Sequence, residues 1–559
     1  MKRFSYLLYG VCASLLFSSC NKSNSNDGPP ANPPPPANFK LNAATINGQA
    51  SQTTYQGVNN TPLIRFSFAA PINKATTANN ISLKEKSGAS VGYNLLYQNG
   101  DSVITLQPAQ PLQYLKGYTV SIGQELKSTA GGSLTAPATI SFNTGIDSSD
   151  KFPRISDDAL LDLVQRQAFK YFWDFAHPVS GLARERNTSG DVVTSGGSGF
   201  GVMAIITAVH RQFITRAQGL ERLQMIVGFL KNKAQTFHGA FPHWLDGNTG
   251  AVVPFSAKDN GADLVETSFL MQGLLAARQY FDNAGAAETA LRNDINTLWN
   301  GVEWNWFRKG NENVLYWHWS PDFNWDMNHQ VRGWNEALIT YVLAASSPNY
   351  SIPKEVYDEG WASNGGMKNG ATYYETALPL GPPNGGPLFF EHYSFLGINP
   401  TNLSDAYADY GAQTKAHTLI NYKYCVANPK GFYGYSSHNW GLTASDDING
   451  YMAHEPANDN GVISPTAALS SFPYTPEQSM QALKFFYYTL GDKLWKEYGF
   501  IDAFSLHHLW FADSFLAIDQ GPIIIMIENY RSGLLWNLFM SCPEVKTGMR
   551  NLGFTSPQL

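Results

Sequence analysis

Cysteine is scarce in this chain of 559 residues. Of four, Cys12 and Cys20 fall in the first twenty positions, and Cys425 and Cys542 have neither the spacing of a zinc site nor that of a redox pair. For the latter two, a single disulfide and two buried thiols both remain open. Charge is also thin, with 15% charged residues and a net charge of −6, so no basic face exists for nucleic acid and no such partner is expected. After the N-terminus no run of ~18 apolar residues occurs, which excludes a later membrane span. His-Glu-x-x-His and Gly-x-Ser-x-Gly are both absent. The Gly-rich run Thr194–Gly201 lacks the Lys-Ser/Thr of a phosphate loop and reads as close helix-to-loop packing. Neither metal nor cofactor is therefore expected.

What is present begins with an export signal. Lys2 and Arg3 precede an apolar run from Tyr6 to Phe17, and Ser18-Ser19-Cys20 resembles a lipobox, with Cys20 as the lipidated first residue of the mature chain. Residues 21–38 are Asn/Ser-rich and then Pro-rich, a composition suited to a semi-rigid spacer. The expectation is an exported bacterial lipoprotein in the periplasm or on the outer-membrane surface, monomeric and tethered through Cys20.

Two bodies follow. Over 39–146 short alternating runs (Leu63–Phe68, Ile81–Leu83, Val103–Leu106, Tyr118–Ile122, Thr139–Phe142) predict a small all-β sandwich that resembles bacterial Ig-like modules. At Ser156 the period changes from two to 3.6. Helical stretches are expected near 157–176, 199–214, 217–236, 263–282, 286–301, 334–346, 353–362, 388–397, 404–427, 464–471, 476–498 and 513–541. About twelve helices with long aromatic connections predict a mainly α body over 154–559, an (α/α)6 barrel whose loops gather on one rim.

Acids recur at the entrances of the stretches assigned to the inner ring. Asp259, Asp263 and Glu266 open one, and Glu336 opens another behind a dense run of Trp304, Trp306, Trp317, Trp319, Trp325 and Trp334. A single acid there would be a helix cap favoured by the dipole. Repetition of the pattern points to a site, and the Trp run to a lined cleft. Arg184, Glu185, His243, Trp244, Trp334, Tyr393, Trp440, Asp446 and Asp519 are further candidates for contacts to substrate. All 14 Trp lie after residue 172, and flat rings beside acids and amides suit a polysaccharide or oligosaccharide. Cleaving a glycoside needs one protonated and one ionised carboxyl group.

Glu185, Val193–Ile206, Asp263-Leu264-Val265-Glu266-Thr267-Ser268, Trp334-Asn335-Glu336, Trp440–Asp446 and Ile518–Pro522 resemble, in order, the bacterial "putative glucoamylase" group, and within it the endo-β-1,2-glucanases of glycoside hydrolase family 144. The resemblance covers about residues 154–555. It implies an (α/α)6 barrel and an inverting, metal-independent cleavage of β-1,2-glucan, with Asp259, Asp263, Glu266 and Glu336 around the cleaved sugar. Glu336 is the favoured proton donor because its Trp neighbours would desolvate it; the base is sought among Asp263, Glu266, Asp446 and Asp519. An exo-acting sophorose-releasing hydrolase, an α-glucan hydrolase and a non-catalytic glycan-binding lipoprotein are the competing expectations.

Overall fold

A computed structural model describes residues 35–50 and 54–559. The export signal, and the spacer as far as residue 34, lie outside the described residues. Two compact units divide the chain. One holds most of the strands before Ile140; the other runs from Ser141 to Leu559 and also takes in Thr54–Thr61 and Pro111–Tyr118.

The strand-rich part has β1 (Leu41–Ile46), β2 (Gln49–Ala50), β3 (Thr54–Val58), β4 (Ile64–Phe68), β5 (Ile81–Glu85), β6 (Tyr93–Gln98), β7 (Val103–Pro108), β8 (Gly117–Ile122) and β9 (Ala138–Thr144). They form one sheet of order β2-β1-β4-β7-β6 and another of order β3-β9-β8-β5. Alternation sets the faces: Ile64, Phe66 and Phe68 are buried while Arg65 between them is exposed. Strand β6 escapes sequence reading because it is an edge strand, with no fully buried residue to mark a face.

The helical part comprises α1 (Asp157–Trp173), α2 (Ser195–His210), α3 (Arg216–Asn232), α4 (Leu264–Tyr280), α5 (Ala286–Gly301), α6 (Leu338–Ser346), α7 (Tyr410–Ala427), α8 (Pro465–Leu469), α9 (Pro476–Lys484), α10 (Gly491–Leu494), α11 (Ala517–Ser532), α12 (Leu534–Met540) and α13 (Pro543–Leu552). Helices α2, α4, α6, α8 and α11 are buried on nearly all sides, whereas α1, α3, α5 and α9 bury a single stripe. Helix α11 packs on α8 and α2, α2 on α4, and α4 on α6. The α2–α4 contact is made by backbone: a Cβ on Gly199 would run into the Phe269 carbonyl, and one on Gly273 into the Gly199 carbonyl. The glycines of 194–201 thus serve close packing, but of helix on helix: Ser195–Gly201 form the first turns of α2, where the sequence suggested a loop against a helix.

Three helical expectations need correction. Residues 388–397 make two short 3-10 turns, Leu388–Glu391 and Ser394–Leu396. Distant side chains take the backbone groups a helix would pair: Gln272 accepts the Gly397 N–H and donates to the Tyr393 carbonyl, Tyr474 donates to the Glu391 carbonyl, and Trp536 to the Phe395 carbonyl. The long stretch 513–541 is two helices, because Gly533 at φ 70° ends α11 in the left-handed conformation. Helix α13 follows, unpredicted although Pro543 at its first turn and Gly553 at φ 92° are ordinary start and stop signals. Stretch 476–498 ends in a hairpin, Trp495–Lys496 with Gly499–Phe500. Cys425 and Cys542 are free and buried.

Candidate active site

Asp263 caps α4. Its Oδ1 accepts hydrogen bonds from the Val265 and Glu266 N–H groups at 3.0 and 2.9 Å. Its other oxygen lies 3.1 Å from His243 Nδ1, so cap and cluster member are one residue. His318 approaches from the strand paired with Ala262-Asp263, its Nε2 3.5 Å from Asp259 Oδ2 and 3.7 Å from Asp263 Oδ2. Burial works against a charge on His243, but Glu266, Asp263 and Asp259 outweigh it and push the imidazole up to about 9. Burial, reinforced by the Asp263 charge, lifts Asp259 to about 7. Asp263 is buried too, yet the hydrogen bond from His243 and the charges of both histidines hold it low. His243, Asp259 and Asp263 each offer a ligand atom within 4.8 Å of the others and could hold a metal ion; the protonated imidazole supplies positive charge at the same place.

Glu266 stands one turn into α4 and is directed at the start of α2. Its Oε2 accepts the Gly196 N–H at 3.0 Å, with the Thr194 hydroxyl at 3.5 Å. Only glycine allows this approach, since a Cβ at 196 would collide with that same oxygen. Burial raises the Glu266 carboxyl. Glu336 sits in the turn that leads into α6. Burial, with the nearby charges of Glu266 and Asp263, pushes it up to about 7.

Opposite these acids is a second polar group. Arg186 reaches Glu185 at 2.9 Å and Asp446 at 3.0 Å, and both carboxylates raise its pKa against the effect of burial. Ser514 donates to Asp446, and the Asp446 N–H donates to Asp502 Oδ2 at 2.6 Å. Asp502 and Asp519 are 1% and 2% exposed and share a hydrogen bond. Burial drives both carboxyls up, Asp502 to about 6 and Asp519 well above the usual carboxylate range, so Asp519 is the protonated member.

The cleft between the two groups has a volume of about 470 Å³ and is lined by Glu185, Arg186, His243, Trp244, Phe255, Glu266, Trp317, Glu336, Phe389, Tyr393 and Tyr451, among others. Phe255 packs against His243 and Trp244 with ring centroids at 4.3 and 4.8 Å. Of the residues singled out from sequence, Glu185, His243, Trp244, Glu266, Glu336 and Tyr393 line this space. Asp259 and Asp263 stand behind His243, Asp446 beside Arg186, and Asp519 beneath Asp502.

Three candidates are not brought to the cleft. Arg184 turns away and packs over the Phe175 ring at 4.7 Å, and Arg186 takes the position expected of it. Trp334 is buried, its indole N–H held by Glu391 at 2.9 Å. Trp440 is fully buried, donating to the Gln478 carbonyl. The Trp run before Glu336 is likewise mostly a second core under the loops: Trp306 stacks on His238 at 3.5 Å and on Trp325 at 4.8 Å, and Trp317 alone of the run lines the cleft. Asp502 was missed. Its only sequence signal is an acid inside the apolar run Phe500-Ile501-Asp502-Ala503-Phe504.

The family model described as "Putative glucoamylase" matches residues 328–543, and that described as "Bacterial Ig-like domain" matches residues 42–144. An exo β-1,2-glucooligosaccharide sophorohydrolase (non-reducing end) of Parabacteroides distasonis is 45% identical over 495 residues, 84% of this chain and 68% of that protein. The endo-β-1,2-glucanase of Chitinophaga pinensis, solved with sophorotriose and glucose, is 54% identical with a TM-score of 0.71 over 73% of this chain and all of its own. A "putative glucoamylase" of Bacteroides uniformis is 57% identical with a TM-score of 0.72, again over 73% of this chain and all of its own. On these identities and coverages the chain belongs to the "putative glucoamylase" family of bacterial β-1,2-glucanases, glycoside hydrolase family 144, and carries a bacterial Ig-like domain ahead of its helical part.

Proposed function

We propose that the protein hydrolyses β-1,2-glucan by inversion, cutting within the chain, with Glu336 as proton donor and Glu266 as base. The observation that carries the reading is the meeting of these two carboxyl groups in one aromatic-walled cleft, at the starts of neighbouring helices. Glu336, with its pKa near 7, is still protonated in about half of the molecules at neutral pH and gives that proton to the leaving O2 of the departing sugar. Glu266 takes a proton from water as that water attacks the anomeric carbon and the glycosidic bond breaks. Asp263 and the His243 cation back this wall, and the Gly196 N–H orients the Glu266 carboxylate. Asp519, held protonated, and Asp263, engaged by the helix cap and His243, are less suited to act as the base.

The finer architecture belongs to the same reading. The buried helices α2, α4, α6, α8 and α11, with the 388–397 segment as sixth member, suit the inner ring of an (α/α)6 toroid over 154–559, with the sandwich occupying 39–146. A monomer exported as a lipoprotein, with residues 1–20 as signal and 21–38 as spacer, is consistent with a polymer substrate met outside the cytoplasm.

A time course on linear β-1,2-glucan tests the function. Early products of mixed length are expected; sophorose alone would mean an exo cut, and an unchanged polymer beside a cleaved α-glucan would overturn the linkage. A second expectation concerns Gly196. Its backbone is helical, so alanine is not strained there, but the added methyl displaces the Glu266 carboxylate. Gly196→Ala is expected to lower kcat by about 10²-fold with an unchanged circular dichroism spectrum. Full activity in that variant would show that the placement of Glu266 is not needed.

A further inference from the structure

Arg186 and Tyr451 stand on the wall of the cleft. These two residues also line a second space of about 560 Å³, bordered by Thr188, Trp510, Asp513 and Ser514. Both volumes fall in the range of small-molecule sites, ~300–1,000 Å³. The second space is built on two hairpins, Ala444–Asp447 with Gly450–Ala453 and Phe504–Ser505 with Trp510–Phe511.

Trp510 is the informative residue. The Trp244 ring packs against Phe255 and the Trp317 ring stacks on His329. The half-buried Trp510 indole meets no other ring among the described residues, and its N–H has no hydrogen-bond partner there. Its flat apolar face is therefore free to stack on a ligand. Beside it the exposed Asp513 carboxylate and Thr188 hydroxyl are also without partners among the described residues, and Arg186 and Tyr451, the latter 49% exposed, line this space and the cleft alike. A ring face flanked by free hydrogen-bonding groups matches a pyranose, whose C–H face is apolar and whose rim carries hydroxyls. An acyl chain would leave those polar groups unmet.

We infer that this space is a further saccharide-binding site, in which Trp510 stacks on a sugar several residues along the same chain that Glu336 cleaves. The inference rests on the proposed function for the identity of the sugar. It makes the enzyme chain-length dependent: oligosaccharides too short to reach past Arg186 bind through the cleft alone, and longer ones gain the Trp510 contact.

The test titrates linear sophoro-oligosaccharides of increasing length into the Glu336→Gln variant by calorimetry, with and without Trp510→Ala. Affinity is expected to rise with length and then level off, and Trp510→Ala to remove about a tenfold gain from the longer ligands while leaving the shortest unchanged. Trp510→Phe, which keeps a stacking face, is expected to retain most of that gain. Equal loss at every length in Trp510→Ala, or no loss at any, overturns the site. Binding without turnover by the unmutated enzyme would overturn the hydrolase reading and leave the site standing; no binding of any β-1,2-linked ligand would overturn both.

Discussion

Replacing Glu336 by Gln is expected to lower kcat on β-1,2-glucan by about 10³-fold while shifting KM by no more than about threefold, because the amide keeps the shape and loses the transferable proton. The argument rests on where the carboxyl lies. It sits in the turn before α6, desolvated and facing the charges of Glu266 and Asp263, and these together push its pKa up to about 7. The sign follows directly. The protonated form is the active one, so kcat/KM of the unmutated enzyme declines as pH rises through about 7, and the residual activity of the Gln variant loses that alkaline limb. Initial rates from pH 5 to 9, with binding of the uncleaved glucan measured alongside, check both points. Normal turnover in the variant would remove Glu336 from the donor role.

Glu266→Gln is the counterpart, with a comparable fall of about 10³-fold in kcat. Here the ionised form is required, so activity falls as pH drops through the pKa of Glu266. Burial has raised that pKa, which places the acid limb above the usual range of a glutamate. Because Glu266 titrates together with Asp259 and Asp263, the limb reports the cluster rather than one group. The variant is expected to flatten the acid limb and leave the alkaline one. If both limbs survive, with kcat near that of the unmutated enzyme, the base lies elsewhere; Asp446, held between Arg186 and Ser514, is then the group to replace.

The acids at helix entrances were legible because an ionisable group placed at the head of an apolar helix stands out against its surroundings. Asp263, Glu266 and Glu336 are all of this kind, and the structure adds that capping and site membership coexist in Asp263. Aromatic residues in connections carry no such mark. Whether Trp334 or Trp440 faces a cleft or a second core depends on which distant groups receive its N–H, here Glu391 and the Gln478 carbonyl, and neither is local in sequence. The choice between Arg184 and Arg186 turns on how a single irregular segment is twisted. The 388–397 segment has the composition of a helix and loses that form to the side chains of Gln272, Tyr474 and Trp536, which bond its backbone groups. Long-range partners decided the two tryptophans and the 388–397 segment.

The glycine contact between α2 and α4 bears on how such an enzyme diversifies. Side-chain packing can be retuned by many small substitutions, but two backbones in contact through Gly199 and Gly273 cannot be moved apart by degrees. The spacing between the Gly196 amide and Glu266 is therefore inherited as a unit. The turns of the hairpins that carry Tyr451 and Trp510 have no such constraint: residues 448–450 and 508 are exposed, and such turns lengthen or shorten at small entropic cost. Change in the length of glycan gripped, or in the end from which it is cut, is thus confined to the rim, where an insertion can close one side of the channel without disturbing the floor.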